Sequence, residues 1–238
     1  MRLDRYLCEL NIGSRSQVRE FVRKGLVSVN GQVVWSADQK IAEQKDQVAF
    51  QGKTLTYQRY VYYMLNKPRG VVSATQDNTA GTVVELLAPE GRKDLFPMGR
   101  LDKDTEGLLI LTNDGELTHR LLSPKRHVDK TYEVTVAHVL SAEDIQRLEQ
   151  GVDIGEDRLT LPAKVEAVSE NILHLTIQEG KYHQVKRMLQ AVGNQVTALK
   201  RIRFGGVDLD HRLEAGEYRS LTSQEEERLR ADRNETGY

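Results

Sequence analysis

Three carboxylates stand at alternate positions in MGRLDKDTEGLLILTNDG, residues 98–115: Asp102, Asp104 and Glu106, directly before Gly107. Acids so placed serve a metal, a substrate or only solvent. Calcium fits poorly. The run imitates the start of an EF-hand loop, but the twelfth position counted from Asp102 is Asn113, where that loop needs a bidentate acid. Zinc and magnesium fit no better, because the six histidines are scattered with no pair at helical ligand spacing. A phosphate cradle would not carry acids, and no Gly-Lys-Ser/Thr is present. A solvated polar turn accounts for Asp104 and Glu106. It accounts less well for Asp102, which lies between Arg100 and Lys103 at the end of an apolar stretch.

A second set of residues suggests what an acid there would act on. The net charge of −1 argues against a polyanionic partner until its distribution is read. Residues 1–60 hold ten Lys/Arg against six Asp/Glu, and residues 180–207 hold no carboxylate while carrying Lys181, Lys186, Arg187, Lys200, Arg201 and Arg203. Arg15, Arg19 and Arg23 recur every four residues beside Lys24, which makes them one stripe on a helix. Like charges so spaced repel, and an external phosphate relieves the repulsion.

The elements that must carry these groups can be read from periodicity. Ser14 and Gln17 form a capping box, Val18, Phe21 and Val22 give one apolar face, and Gly25 suits the position just past the helix. Asn30-Gly31 between LVSV and QVV predicts a hairpin. A polar stretch at 51–60 reads as a linker. Beyond it, 60–75 reads as strand, Lys-Pro turn and strand; 108–112 and 131–137 read as strands; 141–151 reads as a capped surface helix. Residues 167–180 read as two strands around a Glu-Asn turn, and 182–193 as a helix with Val185, Met188, Leu189 and Val192 on one face. Strands in hairpins rather than in regular βαβ units predict an α+β fold with a largely antiparallel sheet. The boundaries expected are 1–58 for a small α/β module and 61–234 for a larger domain. A lone cysteine, Cys8, allows no internal disulfide, no apolar run approaches about 18 residues, and the N-terminus has no secretory pattern. A soluble cytoplasmic protein is expected.

Residues 98–115 resemble the catalytic motif of pseudouridine synthases, in which the aspartate after Arg-Leu is the nucleophile. LNKPRG (65–70) resembles that family's first motif, KTYEV (130–134) its tyrosine-bearing strand, LTIQEGKYHQVKRML (175–189) its basic motif, and residues 199–222 its C-terminal strands. Together these cover most of 61–222. The first fifty residues resemble the S4 RNA-binding module, and the combination is similar to the subgroup that acts on ribosomal RNA.

The resemblance implies a catalytic set of Asp102, Tyr132 and Lys186. The reaction breaks the N1–C1′ bond of uridine, rotates the uracil and rejoins it through C5, with no redox change, so no cofactor and no metal are expected. The carboxylate would trap the electron-poor sugar, add to C6 of the ring or remove the C2′ proton. Desolvation under a base disfavours a carboxylate's charge, and a paired cation counters it; Lys186 takes that role, with Arg187 its neighbour. Tyr132 would stack on a flipped base and help remove the C5 proton, and Arg100 would fill the gap left behind. Arg15, Arg19, Arg23, Lys24, Lys67, Arg100, Lys181, Arg187, Lys200 and Arg201 are the candidate RNA contacts. The expected partner is ribosomal RNA in a small-subunit assembly particle, bound by a monomer at a 16S uridine of the position-516 type. A non-catalytic RNA-binding protein or an enzyme of 23S RNA are the rival readings.

Overall fold

The computed structural model describes residues 1–43, 45–123 and 126–231. The chain divides into two units, Met1–Arg59 and a second beginning at Tyr60, each with its own core. The expected end of the second domain at 234 lies outside the described residues.

In the first unit, α1 (Leu3–Glu9) and α2 (Arg15–Arg23) cover a small antiparallel sheet. Its strands are β1 (Val27–Val29), β2 (Gln32–Val33), β3 (Val48–Phe50) and β4 (Lys53–Leu55), in the order β2-β1-β3-β4. The capping box closes in both directions between Ser14 and Gln17, and Gly25 ends the helix at φ +69°. Asn30 and Gly31, both at positive φ, turn β1 into β2. Val18 and Val22 are buried, which leaves Arg15, Arg19 and Arg23 on the exposed side of α2.

The second unit is a nine-stranded sheet. Its strands are β5 (Tyr62–Lys67), β6 (Phe96–Pro97), β7 (Glu106–Thr112), β8 (Lys130–Val136), β9 (Lys164–Ser169), β10 (Ile172–Ile177), β11 (Val196–Phe204), β12 (Val207–Asp208) and β13 (Tyr218–Ser220). The main order is β13-β5-β7-β11-β8-β10-β9, with β6 on β7 and β12 on β11. Every pairing is antiparallel except β7 with β11. With its helices, this is an α+β architecture. Side-chain alternation sorts the two central strands onto two cores. Tyr63, Leu65, Leu109 and Leu111 face one with α4 (Ala142–Gln150) and α5 (Gln184–Ala191). Tyr62, Met64, Leu108 and Ile110 face the other with α3 (Gly115–Leu122) and α6 (Ser223–Ala231). Strands buried on both faces read as continuous apolar runs, as LLILT does.

One expectation is corrected, and one helix had no expectation. After the Lys-Pro turn, residues 71–75 do not form a strand; Val72 makes one isolated parallel bridge to Thr82. The turn's Gly70 N–H, at 2.8 Å, bonds to the carbonyl of Lys103, which diverts the chain from any hairpin with β5. The turn at 113–115 also opens a helix, α3, because Asp114 caps it by accepting from the Leu117 N–H at 3.0 Å.

Candidate active site

Asp102 lies on the loop between β6 and β7, and main-chain contacts anchor that loop. Ser73 Oγ bonds to both the carbonyl and the N–H of Leu101, at 2.9 and 3.0 Å. The Lys67 ammonium donates to the carbonyls of Pro68, Asp102 and Thr105 at 3.0, 3.0 and 2.9 Å. At its end the loop enters the parallel pairing of β7 with β11, where Gly107 sits at φ +102°. A Cβ there would lie 2.2 Å from the Arg201 carbonyl oxygen, so only glycine lets the two strands meet.

The carboxylate of Asp102 faces α5. Its Oδ2 is 3.2 Å from Lys186 Nζ and 3.6 Å from His183 Nε2. Burial of Val185, Met188 and Leu189 orients α5, and Lys186 projects from the flank of that apolar face. Lys186 is shared: Asp104 Oδ1 accepts from it at 2.6 Å. Burial works against the Lys186 charge, but the hydrogen bonds to Asp104 and Asp102 outweigh it and raise the ammonium above its ordinary value. The same bond to Lys186 holds Asp104 below its ordinary value.

These groups border an open cleft, lined also by Arg100, Thr105, Tyr132, Lys181, Ile177 and Leu199. Tyr132 is paired in register with Arg201, which places the ring beside the β7–β11 junction, across from the Asp102 loop. Arg100 is exposed at the rim, and Lys181, at 3.2 Å from Glu179, remains on the wall. Lys200 is half-buried on β11 opposite Glu106 and Glu133.

Three expected RNA contacts are placed differently. Lys67 is fully buried, and burial pushes its ammonium down to about 8 against the pull of Asp104, Asp102 and Glu106; it binds the loop and has no surface for a phosphate. Arg201 is buried too, with its Nε donating to the Leu108 carbonyl at 2.8 Å, its guanidinium over the Phe204 ring and beside Tyr132. β11 alternates, so Arg201 faces inward. Arg187 bonds to Glu156 at 2.8 Å and to the carbonyls of Ile154 and Tyr182, pointing away from Asp102. Lys24 stays exposed and forms an i,i+4 pair with Glu20 at 2.7 Å.

Two cleft residues escaped the sequence reading. His183 heads α5 in a left-handed conformation, stacked on Tyr182 with ring centroids 3.8 Å apart. Its spacing of three from Lys186 is the signal that both reach one point. Thr105 has a buried hydroxyl without a hydrogen-bond partner among the described residues; nothing in its sequence context marks it.

A chain with this fold and this cleft can be set beside known proteins. The model of a family described as RNA pseudouridylate synthase matches residues 61–191, and that of the S4 domain matches residues 1–48. The chain is 49% identical to an RNA pseudouridine synthase of Bacillus subtilis, YtzG, over 94% of this chain and 96% of that protein. It is 43% identical to ribosomal small subunit pseudouridine synthase A of Vibrio cholerae, over 94% and 97%. With the Escherichia coli K12 protein of that name the identity is 41%, over 94% and 98%. A crystal structure of a pseudouridylate synthase, 41% identical, superposes with a TM-score of 0.68 over 96% of this chain and 99% of that one.

Proposed function

The chain belongs to the RNA pseudouridylate synthase family, and from that premise we propose that Asp102 is its reacting carboxylate, acting on a uridine of 16S ribosomal RNA. The enzyme isomerises uridine in RNA. The observation that carries the assignment of Asp102 is its ion pair: Lys186, 84 residues away in sequence, is brought to 3.2 Å of Oδ2 at the edge of the cleft that Tyr132 lines.

Breaking N1–C1′ leaves electron-poor sugar and an electron-rich uracil. A carboxylate answers the first, whether by attack on C1′ or by taking the C2′ proton; addition to C6 activates the ring instead. Lys186 stays charged at neutral pH, so it offsets the loss of hydration when a base closes over Asp102 and holds the carboxylate in one rotamer. Asp104, bound to the same ammonium, gives Lys186 a second acceptor and limits its swing. The uridine must leave its stack, at a cost of a few kcal/mol. The Tyr132 ring recovers part of that, roughly 1–3 kcal/mol for a stacked base. The buried guanidinium of Arg201 next to Tyr132 fixes the ring's position. Once C5 is joined to C1′, its proton is lost and N1 regains one, so the sum is an isomerisation with no group left over.

The likeness to relatives named for the small ribosomal subunit supports 16S RNA as the substrate. The exposed arginines of α2 support RNA binding by the S4 unit. Base flipping needs an accessible strand, which favours a partly assembled particle over the finished subunit. We take the enzyme to act as a monomer in the cytoplasm. Incubation with 16S and 23S RNA, followed by mass-spectrometric counting of pseudouridine, tests the proposal. Modification of 16S RNA by the wild type and none by Asp102→Asn is expected. Modification confined to 23S RNA overturns the substrate, and an active Asp102→Asn overturns the residue.

A further inference from the structure

We propose that Trp35, with Arg19 and Arg23, forms a stacking subsite on the S4 unit for one unpaired nucleotide of the RNA. The inference rests on RNA being the substrate and adds to it a site that the catalytic reading does not use.

Trp35 is the chain's single tryptophan, and it is 68% exposed. The indole lies across the end of α2: a Cβ at Gly25 would come within 3.0 Å of Trp35 Cη2. Gly25 therefore both ends the helix and clears space for the ring. An open cleft brings the indole together with Arg19 and Arg23, and also with Arg2, Ser36 and Asp38.

The charges in this cleft are not equivalent. Arg2 is committed to Asp4 through two hydrogen bonds, at 3.1 and 2.8 Å. Asp38 accepts a hydrogen bond from Ser36. Arg19 and Arg23 make no hydrogen bond or ion pair among the described residues. An exposed π face beside two uncommitted guanidinium groups matches the two halves of a nucleotide: base on indole, phosphate on arginine. An apolar protein segment would fill the indole side but leave both guanidinium groups desolvated and unpaired. A base-free anion would use the arginines and leave the ring in water. A base inside a duplex has its faces covered, so the nucleotide must be unpaired. Asp38, in the same cleft, disfavours a second phosphate there.

The test uses the full chain, whose tryptophan emission reports on Trp35 alone. Emission is followed during titration with a single-stranded RNA of about 12 nucleotides, its duplex, and inorganic polyphosphate, while anisotropy of fluorescein-labelled RNA measures binding independently. Single-stranded RNA is expected to quench the emission, and polyphosphate to bind without quenching. Trp35→Leu is expected to weaken single-stranded binding roughly 5- to 100-fold, with Trp35→Phe retaining part of the affinity. The double variant R19Q/R23Q is expected to flatten the slope of log affinity against log salt by about 1.4 for single-stranded RNA. Binding seen by anisotropy with unchanged emission and an unaffected Trp35→Leu overturns the subsite and leaves RNA as the substrate. Absence of any RNA binding by the wild type overturns both. Equal quenching by polyphosphate overturns the stacking assignment.

Discussion

The ammonium of Lys67 lies 3.0 Å from the carbonyl oxygen of Asp102 and is completely buried. Lys67 ends β5 directly opposite Gly107 on β7, so the strand register carries its side chain under the loop that presents the carboxylate. Its three N–H donors meet the carbonyls of Pro68, Asp102 and Thr105. The backbone of Asp102 is thus held by a side chain buried away from solvent.

Replacing that cation should separate turnover from binding. Lys67→Met leaves buried carbonyls without donors, each costing about 1–3 kcal/mol, and frees the loop. Turnover is expected to fall by about tenfold or more while RNA affinity is kept. Single-turnover rates and anisotropy titrations check this; a loss of affinity with normal turnover would return Lys67 to the role of a phosphate contact.

The same residue gives opposite pH trends for stability and activity. Its value in the fold is about 8, against 10.5 in the unfolded chain. Between those values the unfolded state binds more protons, so this group makes stability rise with pH across that window; below about 8 both states hold the proton and the contribution is flat. Activity should instead decline as pH rises through about 8, because the neutral amine has one donor fewer for the loop. Rate profiles with parallel denaturation curves measure both. An identical alkaline decline in Lys67→Met would assign it to another group.

Asp102→Asn keeps the shape of the side chain and removes its charge. A loss on the order of 10³-fold or more in turnover is expected, with RNA affinity little changed. Asp104→Asn should retain most activity, since Lys186 then serves Asp102 alone. Comparable losses in the two variants would mean that the carboxylates act as a pair.

Lys186→Met and Lys200→Met should differ in kind. The first removes the partner of Asp102 and should lower turnover at saturating RNA. The second removes a half-buried cation of β11 that makes no side-chain bond to the carboxylate loop among the described residues, and should mainly weaken binding. Saturation kinetics on both variants decide the point, and equal effects on affinity alone would remove Lys186 from the chemistry.

Gly107→Ala should destabilise the catalytic unit by roughly 2–4 kcal/mol, the sum of a left-handed backbone and a collision with the Arg201 carbonyl. Denaturant titration measures it. A change under about 0.5 kcal/mol would show that β7 and β11 can part without cost.

By itself the sequence determined what local physics governs. The Ser14–Gln17 box, the Asn30-Gly31 turn, the paired strands around 170 and the apolar face of α5 all appear as their spacing requires, because each depends on neighbours within a few residues. The motif around Asp102 pointed to the family for the same reason: it is contiguous. Only the tertiary structure decided which charges are used and how. Lys67, Arg201, Arg187 and Lys24 read alike as free cations, yet one holds a loop, one is buried beside a tyrosine and two are neutralised by acids. Lys24 pairs with an acid four residues before it on the same helix, which local spacing shows; nothing local distinguishes the other three, since their environments are set by the strand register and helix packing that bring residues together across the chain. His183 and Lys186 meet Asp102 for that reason: the β10–β8–β11–β7 pairings place α5 over a loop some 80 residues earlier in sequence.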